Sequence, residues 1–388
     1  MVTSTHAGTR ASLPRLRVRV LVVAAAFIMG ACTPTTPDPE PSPSVGEELG
    51  AEVEEYLDRH VFLLDHVRAV VVVVQGVAVL DLYRGTTPKE SRNVSGVTTS
   101  FMSTLVGIAV EEGLLSLDAT LAELLPEYAP TMTPDVAVTT LHELLTMTGP
   151  FPGTWFSGGT EIVGEDWVAG SLSAATRPRT GRFSYSDPSA DLVAAALARA
   201  TGATGRSVLD YAREKLFDPL GIDTEPALEP VAIPENIEAY EDAGFAWPTD
   251  PQGNHLGSGL MKLRPDDMVR LGRLYLDEGR WEGRQVVPAE WVEQATTAQV
   301  RAGTSGAADG YGYLWWVGST TEDYDAFLVW GFAGQLIEVV PELDLVVVVS
   351  TEFGFDEANA GLNPVMLTHN LVDNLVIPAA VQVRGRGE

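Results

Sequence analysis

The sequence predicts an α+β fold in which a β-sheet is assembled from the two ends of the chain and a helical lobe is inserted between them. Two observations carry this: β-rich apolar runs fall at residues 67–83 and 312–349, and the stretch between them carries helix start and stop signals punctuated by Gly and Pro. A third is size and composition. At 388 residues, 45% hydrophobic and 20% charged, the chain can bury one large two-lobed domain or two smaller ones, which excludes wholesale disorder and fibrous or disulfide-stapled classes. The single cysteine cannot close an intrachain disulfide. With 53 acids against 25 bases and a net charge of −28, no nucleic-acid partner is expected, because phosphate contacts need a basic surface.

The amino terminus reads as an address. Arg10, Arg15, Arg17 and Arg19 precede an apolar run from Val20 to Ala31 that is too short to span a bilayer, the pattern of a secretory signal. Met29-Gly30-Ala31-Cys32 resembles a bacterial lipobox, with Met29 where Leu is commonest, so residues 1–31 are expected to be removed and Cys32 lipid-modified. Residues 33–44 carry no apolar side chain but proline and predict an extended spacer within a tether over 32–46. Cys32–Glu388 keeps 21 bases and all 53 acids, a net charge of −32 that an anionic lipid surface repels, so attachment is expected through lipid at Cys32 alone.

The body is expected over residues 47–380, with the sheet from about 60–90 and 310–352, a helical lobe over about 98–300, and a tail at 381–388. Val53, Tyr56, Leu57 and Val61 at helical spacing open it with a helix over about 47–60. Val67–Val74 and Val77–Tyr83 form a hairpin that turns at Gln75-Gly76. A helix from Thr99 to Glu112 closes at Gly113, and Thr140-Leu141-His142-Glu143 is a capping box. Helices follow at Asp191–Ala200, Val208–Leu216, Pro265–Leu276 and Pro288–Gln294. Strands return at Gly312–Val317, Ala326–Trp330, Gln335–Val340 and Leu343–Val349, and Leu367, Leu371 and Leu375 mark a last helix over 364–377.

Several segments together resemble the class C β-lactamase-like serine hydrolases of the β-lactamase and penicillin-binding-protein superfamily, which include esterases and 6-aminohexanoate-dimer hydrolases. They are Ser100-Phe101 leading into Leu105–Leu114, Leu144–Thr148, Phe183-Ser184-Tyr185-Ser186, Pro219-Leu220-Gly221-Ile222, Gly257-Ser258-Gly259-Leu260, Asp267-Met268, Tyr311–Trp316 and Gly334-Gln335. The resemblance covers about residues 50–380 and implies a β-lactamase/transpeptidase-like fold, an antiparallel sheet flanked by helices. It also implies three catalytic parts. A Ser-x-x-Lys at a helix start puts an amine one turn from a nucleophilic hydroxyl; a Tyr-x-Asn loop supplies a phenol; a glycine-containing strand lines the opposite wall. Backbone N–H groups beside the serine and on that strand form an oxyanion hole.

The chain departs from that pattern at all three. Where the family reads Ser-Val-Thr-Lys-Ser-Phe, residues 96–101 read Gly96-Val97-Thr98-Thr99-Ser100-Phe101, so Gly96 stands for the serine and Thr99 for the lysine. The only lysines are Lys89, Lys215 and Lys262, preceded at three residues by Thr86, Ala212 and Gly259, so there is no Ser-x-x-Lys in the chain. Tyr185-Ser186-Asp187 keeps the phenol but replaces Asn by Asp, which only accepts when ionised. Gly331-Phe332-Ala333-Gly334-Gln335 offers an apolar wall where a polar or glycine residue is common.

The candidate catalytic residues are therefore Tyr185 and, as a relocated nucleophile, Ser95. Ser186, Asp187, Gly331, Phe332, Ala333, Gly334 and Gln335 are expected to line the cleft. Each has a plainer alternative: Ser95 as a helix N-cap, Tyr185 as a packing residue, Asp187-Pro188 as a turn and cap, Ser258 as part of a tight turn. The six histidines form no His-x-His or His-Glu-x-x-His pair, so neither a metal nor a cofactor is expected. The function expected is an exported, lipid-anchored protein facing the extracellular or periplasmic side. Its hydrolase fold is impaired or inactive and serves as a binding or regulatory module for a small amide, ester or peptidoglycan-type ligand. The alternative is an active serine hydrolase that uses Ser95.

Overall fold

The computed structural model describes residues 44–154, 164–231, 237–303, 308–352 and 364–387. The chain divides into two compact units, Met1–Ser42 and Pro43–Glu388, and every described residue belongs to the second. The signal segment, Cys32 and most of the tether lie outside the described residues.

The first strands are β1 (Val67–Val74) and β2 (Val77–Tyr83), followed by the two-residue strands β3 (Arg92–Asn93), β4 (Ala227–Leu228), β5 (Phe245–Ala246), β6 (Lys262–Leu263), β7 (Arg280–Trp281), β8 (Arg284–Gln285), β9 (Val300–Arg301) and β10 (Gly310–Tyr311). Then come β11 (Trp316–Ser319), β12 (Asp325–Gly331), β13 (Gln335–Val340) and β14 (Leu345–Thr351). The main sheet is antiparallel, in the order β2-β1-β14-β13-β12-β11-β10-β9, so the two ends of the chain meet where β1 pairs with β14. A sheet built from the two ends of the chain is what the sequence predicts, but the strand expected at Gly312–Val317 is found as β10 and β11 on either side of a turn, and β9 was not expected. A small sheet, β3-β6-β5-β4, was not foreseen, because two-residue strands leave no periodicity to read.

The valine runs of β1 and β14 are apolar on both faces because both faces are covered. On one side lies the Pro265–Leu276 helix. A Cβ added at its Gly272 would stand 2.6 Å from Val346 Cγ1, so only glycine lets the helix come this close to the sheet. That helix, expected in the lobe, is in fact a layer over the sheet. Cross-strand pairing of Leu80 with Val72, Val72 with Val347 and Val347 with Glu338 puts those side chains on the opposite face. There the opening helix, Val45–Arg59, meets Leu80 at Gly50, and the carboxy-terminal helices pack beside it.

Residues 381–387 are not a tail: they continue a helix, Ile377–Gly387, which follows Pro364–Leu371 and a π-type turn at Val372–Val376. Burial of Val376, Ile377 and Ala380 anchors this helix, and Arg384 donates to the carbonyl of Glu342, which offsets the weak helix propensity of its glycines. The hairpin of β1 and β2, the 265–276 helix and the capping box at Thr140 and Glu143 fall where the sequence puts them. In the last, Thr140 N–H donates to Glu143 Oε2 at 3.0 Å and Glu143 N–H to Thr140 Oγ1 at 3.3 Å.

The helix Thr98–Glu111 is buried at all but its last two residues. Its hydroxyls are satisfied by backbone carbonyls: Ser100 donates to Leu314 and Ser103 to Tyr313. The start of this helix is the point to which the family's nucleophile would be tied.

Candidate active site

The helix is preceded by a 3-10 turn, Ser95–Val97, which the small sheet holds in place. Asn93 pairs with Lys262, and Val94 N–H donates to the carbonyl of Met261. Ser95 has left-handed backbone, φ 50°, a strained conformation for a residue with a Cβ. Asn93 Oδ1 accepts from Ser95 N–H at 2.8 Å, an Asx-type bond that supports this conformation. Ser95 is therefore not the N-cap of the helix, the plainer role open to it. Its hydroxyl oxygen instead accepts from Phe332 N–H at 3.0 Å, joining the turn to the end of β12.

Gly96 stands beside the phenol. A Cβ built on Gly96 would lie 3.4 Å from Tyr185 Oη, the separation that places a side chain at residue 96 in contact with that hydroxyl. The same Cβ would lie only 2.6 Å from the Trp330 carbonyl oxygen and 3.4 Å from Gly331 Cα. The position is thus correctly aimed and closed by backbone. Thr99, one turn later, is 1% exposed, and its hydroxyl donates to the Gly96 carbonyl at 2.8 Å.

No lysine replaces the missing amine. Lys262 Nζ donates to the carbonyls of Tyr240 at 2.8 Å and Glu241 at 2.5 Å, with burial lowering its pKa to about 8. Lys215 pairs with Glu112 and Glu214, and Lys89 is exposed on a surface loop. Burial, reinforced by the charges of Asp187 and Asp191, pushes the Tyr185 phenol well above its ordinary value, so it stays protonated and is a hydrogen-bond donor rather than a base.

Around Tyr185 the cleft is aromatic. Its ring stacks on Trp316 at 6.1 Å and 6°, Trp316 lies 5.1 Å from Trp330, and Phe183 meets Tyr311 at 4.9 Å. Tyr185, Phe183, Trp330 and Phe332 each keep part of their surface exposed.

Several residues expected to line the cleft are scaffold instead. Gln335 is fully buried. Its amide donates to the carbonyls of Asn93 at 2.7 Å and Thr351 at 2.8 Å, and its oxygen accepts from Thr351 N–H, so it ties β3, just before the 3-10 turn, to β14. Ser186, also fully buried, is the N-cap of the Asp187–Gly202 helix, with its hydroxyl accepting from Ser189 N–H at 3.0 Å. Asp187 is therefore the first helical residue rather than the cap, and is itself buried. Gly331 is required where a Cβ would lie 2.6 Å from the Val94 carbonyl, Ala333 turns the chain with φ 61°, and Gly334 packs against Thr368. Of that segment, Phe332 alone offers partly exposed side-chain surface to the cleft, along with its N–H on Ser95.

Sequence reasoning missed Asp191, whose carboxylate accepts from the N–H groups of Gly257 and Ser258, both at 3.0 Å. This makes 257–259 a clamped turn, and Gly259 lies against the backbone of Ser95. An acid one helical turn into a helix had no distinguishing signal. Trp330 was missed too; the Trp315-Trp316 pair was visible, but nothing marked Trp330 as its neighbour across the strands.

A separate cavity of about 480 Å³ opens on the lobe among Tyr128, Arg199, Arg206, Asn254 and His255, away from these residues. It contains none of the groups that chemistry at Gly96 or Ser95 would use.

The chain matches the Beta-lactamase family over residues 65–367. No curated protein matches it in sequence. Its fold is similar to that of a candidate 6-aminohexanoate-dimer hydrolase from Bacillus anthracis, with TM-score 0.63, 20% identity, and 86% of this chain and 82% of that one covered. It is similar also to an octameric penicillin-binding protein homologue from Pyrococcus abyssi, with TM-score 0.64, 18% identity and coverage of 85% and 77%. A candidate β-lactamase from Bacteroides dorei gives TM-score 0.62, 18% identity and coverage of 85% and 98%. At these identities the solved structures speak for the fold alone, and it is the family match across most of the body that establishes that this chain belongs to the β-lactamase family.

Proposed function

We propose that this protein is a lipid-anchored, envelope-facing member of the family whose cleft binds a small amide, ester or peptidoglycan-type ligand without forming an acyl-enzyme. One observation carries the reading. At the position that faces Tyr185, a side chain is replaced by a glycine whose missing Cβ would meet the Trp330 carbonyl at 2.6 Å. The bonded hydroxyl of Thr99 and the protonated phenol then leave no nucleophile and no base in the frame the family uses. Losing a nucleophile or its base costs many powers of ten in rate and leaves a residue of only about 10³–10⁴ over water. The aromatic faces of Tyr185, Trp330 and Phe332 suit an apolar or sugar-like ligand surface. Export and attachment rest on the amino-terminal sequence; Cys32→Ser is expected to release the protein from membranes, and unchanged retention overturns the anchor.

A second reading has its own support. Ser95 combines strained left-handed backbone with a hydroxyl that sits on the Phe332 N–H, an arrangement that exposes a side chain at a turn. The soluble body is therefore to be treated with a fluorophosphonate and with a fluorescent penicillin, followed by intact mass. No adduct is expected. A stoichiometric adduct mapped to Ser95, and lost in Ser95→Ala, replaces the binding reading with a working serine hydrolase.

A further inference from the structure

On the face of the sheet opposite the Pro265–Leu276 helix, the face that also carries Trp330, three ionisable side chains meet with almost no access to water. Glu338 on β13 is 0% exposed, His369 on the Pro364–Leu371 helix 2%, and Asp373 in the π-type turn that follows 7%. His369 Nδ1 lies 3.0 Å from Glu338 Oε2, and His369 Nε2 lies 3.2 Å from Asp373 Oδ2. Thr321 N–H donates to Asp373 Oδ1, and the Trp330 ring stands edge-on to the imidazole at 6.3 Å. Nothing in the cleft reading uses this group.

We propose that Glu338, His369 and Asp373 bind one divalent transition-metal ion of the zinc class, which fastens the carboxy-terminal helices to the sheet. One donor atom from each residue lies within 4.8 Å of the others; Glu338 faces Nδ1 and Asp373 stands by Nε2, so an ion would take the imidazole through Nδ1 and draw the Asp373 carboxylate across to it. The buried Glu338 Oε1 has no hydrogen-bond partner, so an acceptor that ordinarily costs free energy to strand is left open inside the cluster. Charge makes the same case. Two carboxylates and an imidazolium leave a net negative charge in a dry site, whereas two carboxylates, a neutral imidazole and a divalent ion sum to zero. One nitrogen and two carboxylate oxygens form a borderline donor set that suits zinc, cobalt or manganese. With metal–ligand bonds of about 2.0–2.2 Å, the donors close to about 3.4 Å apart, which carboxylate rotation supplies at the widest edge. The i,i+4 spacing of His369 and Asp373 puts both on one helix face, and a π-type turn at such a place is a frequent mark of a functional site. The ion would be structural. It adjoins the cleft only through the Trp330 ring beside the imidazole and takes no part in ligand binding there, so the inference stands or falls separately from the binding reading.

Because the site is buried, the test loads it during folding. The soluble body is refolded from guanidinium with Zn²⁺ or Co²⁺, desalted, and analysed for bound metal alongside His369→Gln and Asp373→Asn. The expected result is about one equivalent per chain in the wild type, less than about a tenth in the variants, and a Tm several degrees above that of wild type refolded with chelator. With Co²⁺, visible absorption of a low-coordinate nitrogen–oxygen site is expected from the wild type alone, which decides the matter if a variant fails to fold. Wild type that retains no metal and has the same Tm with ion or chelator overturns the proposal, leaving an imidazolium held between two carboxylates.

Discussion

The cleft and the scaffold behind it treat ionisable groups in opposite ways. At the cleft, where the family's chemistry implies an amine, a nucleophile and a titrating phenol, the positions hold Gly96, a Thr99 bonded to its own turn, and a Tyr185 kept protonated. In the scaffold, charged or titratable groups are buried wholesale: Glu338, His369 and Asp373 beside Trp330, His255 on the lobe, Lys262 in strand β6 of the small sheet. Burial of such groups is expensive unless each finds a partner, so it marks where the fold itself depends on them. Perturbed titration in this molecule thus falls on scaffold groups as well as on Tyr185, whose shift keeps the phenol protonated, which warns against reading a shifted pKa as catalysis.

The largest effect should appear in the scaffold. His255 is 3% exposed and stacked on Trp247 at 4.4 Å, with Nδ1 donating to the Trp247 carbonyl at 2.9 Å; burial is the main cause that lowers its pKa from 6.5 to about 4. Between those values the unfolded chain binds the proton that the folded one refuses. The histidine's contribution is therefore complete above pH 6.5 and is lost as pH falls toward 4. The stability of the wild type minus that of His255→Gln, measured by denaturant unfolding, should rise by about 3 kcal/mol from pH 4 to pH 6.5 and then level off. A flat difference would mean that the imidazole takes up its proton in the folded state, and the contrast between scaffold and cleft would lose one of its members.

Gly96→Ser tests the other side, with an intermediate effect. Restoring the family's hydroxyl also adds a Cβ 2.6 Å from the Trp330 carbonyl, and backbone cannot swing aside as a side chain can. The variant should lose about 1–3 kcal/mol of stability and still fail to react with a fluorophosphonate, with or without Thr99→Lys. A stable variant that labels would show that β12 yields readily and that the cleft lacks only its residues, not its shape.

The frame of this molecule was legible because it is written in long periodic runs. The β1–β2 hairpin, β13 and the 265–276 helix fall at the residues their patterns indicate, and the capping box at Thr140 needs only two side chains three positions apart. Gly96 and Thr99 could be placed because the resemblance supplies a frame, Ser-Val-Thr-Lys-Ser-Phe, on which residues 96–101 align. What the sequence could not supply is partnership between distant residues. Gln335 stood in a segment that suggested a cleft wall, yet its amide is spent on Asn93 and Thr351. Ser186 rather than Asp187 caps its helix, a difference of one residue that no propensity distinguishes. Glu338 shares no spacing with the i,i+4 pair His369 and Asp373, so only the packing of the carboxy-terminal helix on β13 brings the three together.

The smallest expected effect concerns Tyr185, and it discriminates between the two readings of the cleft. Tyr185→Phe removes one hydroxyl and keeps the ring that stacks on Trp316, so stability should change by less than about 1 kcal/mol. If the cleft only binds, the variant should hold an apolar ligand as before and show the same absence of covalent labelling as the wild type. A working Ser95 enzyme behaves otherwise. Gly96, next in the chain to Ser95, has its Cβ position 3.4 Å from the phenol, and a donor at Oη would help a leaving group depart, so losing it would cut turnover by about 10²–10⁴. Turnover of an ester such as p-nitrophenyl butyrate by the wild type, falling that far in Tyr185→Phe while the fold is retained, would place chemistry back in the cleft. Equal and negligible rates for both proteins leave the aromatic faces as its working surface.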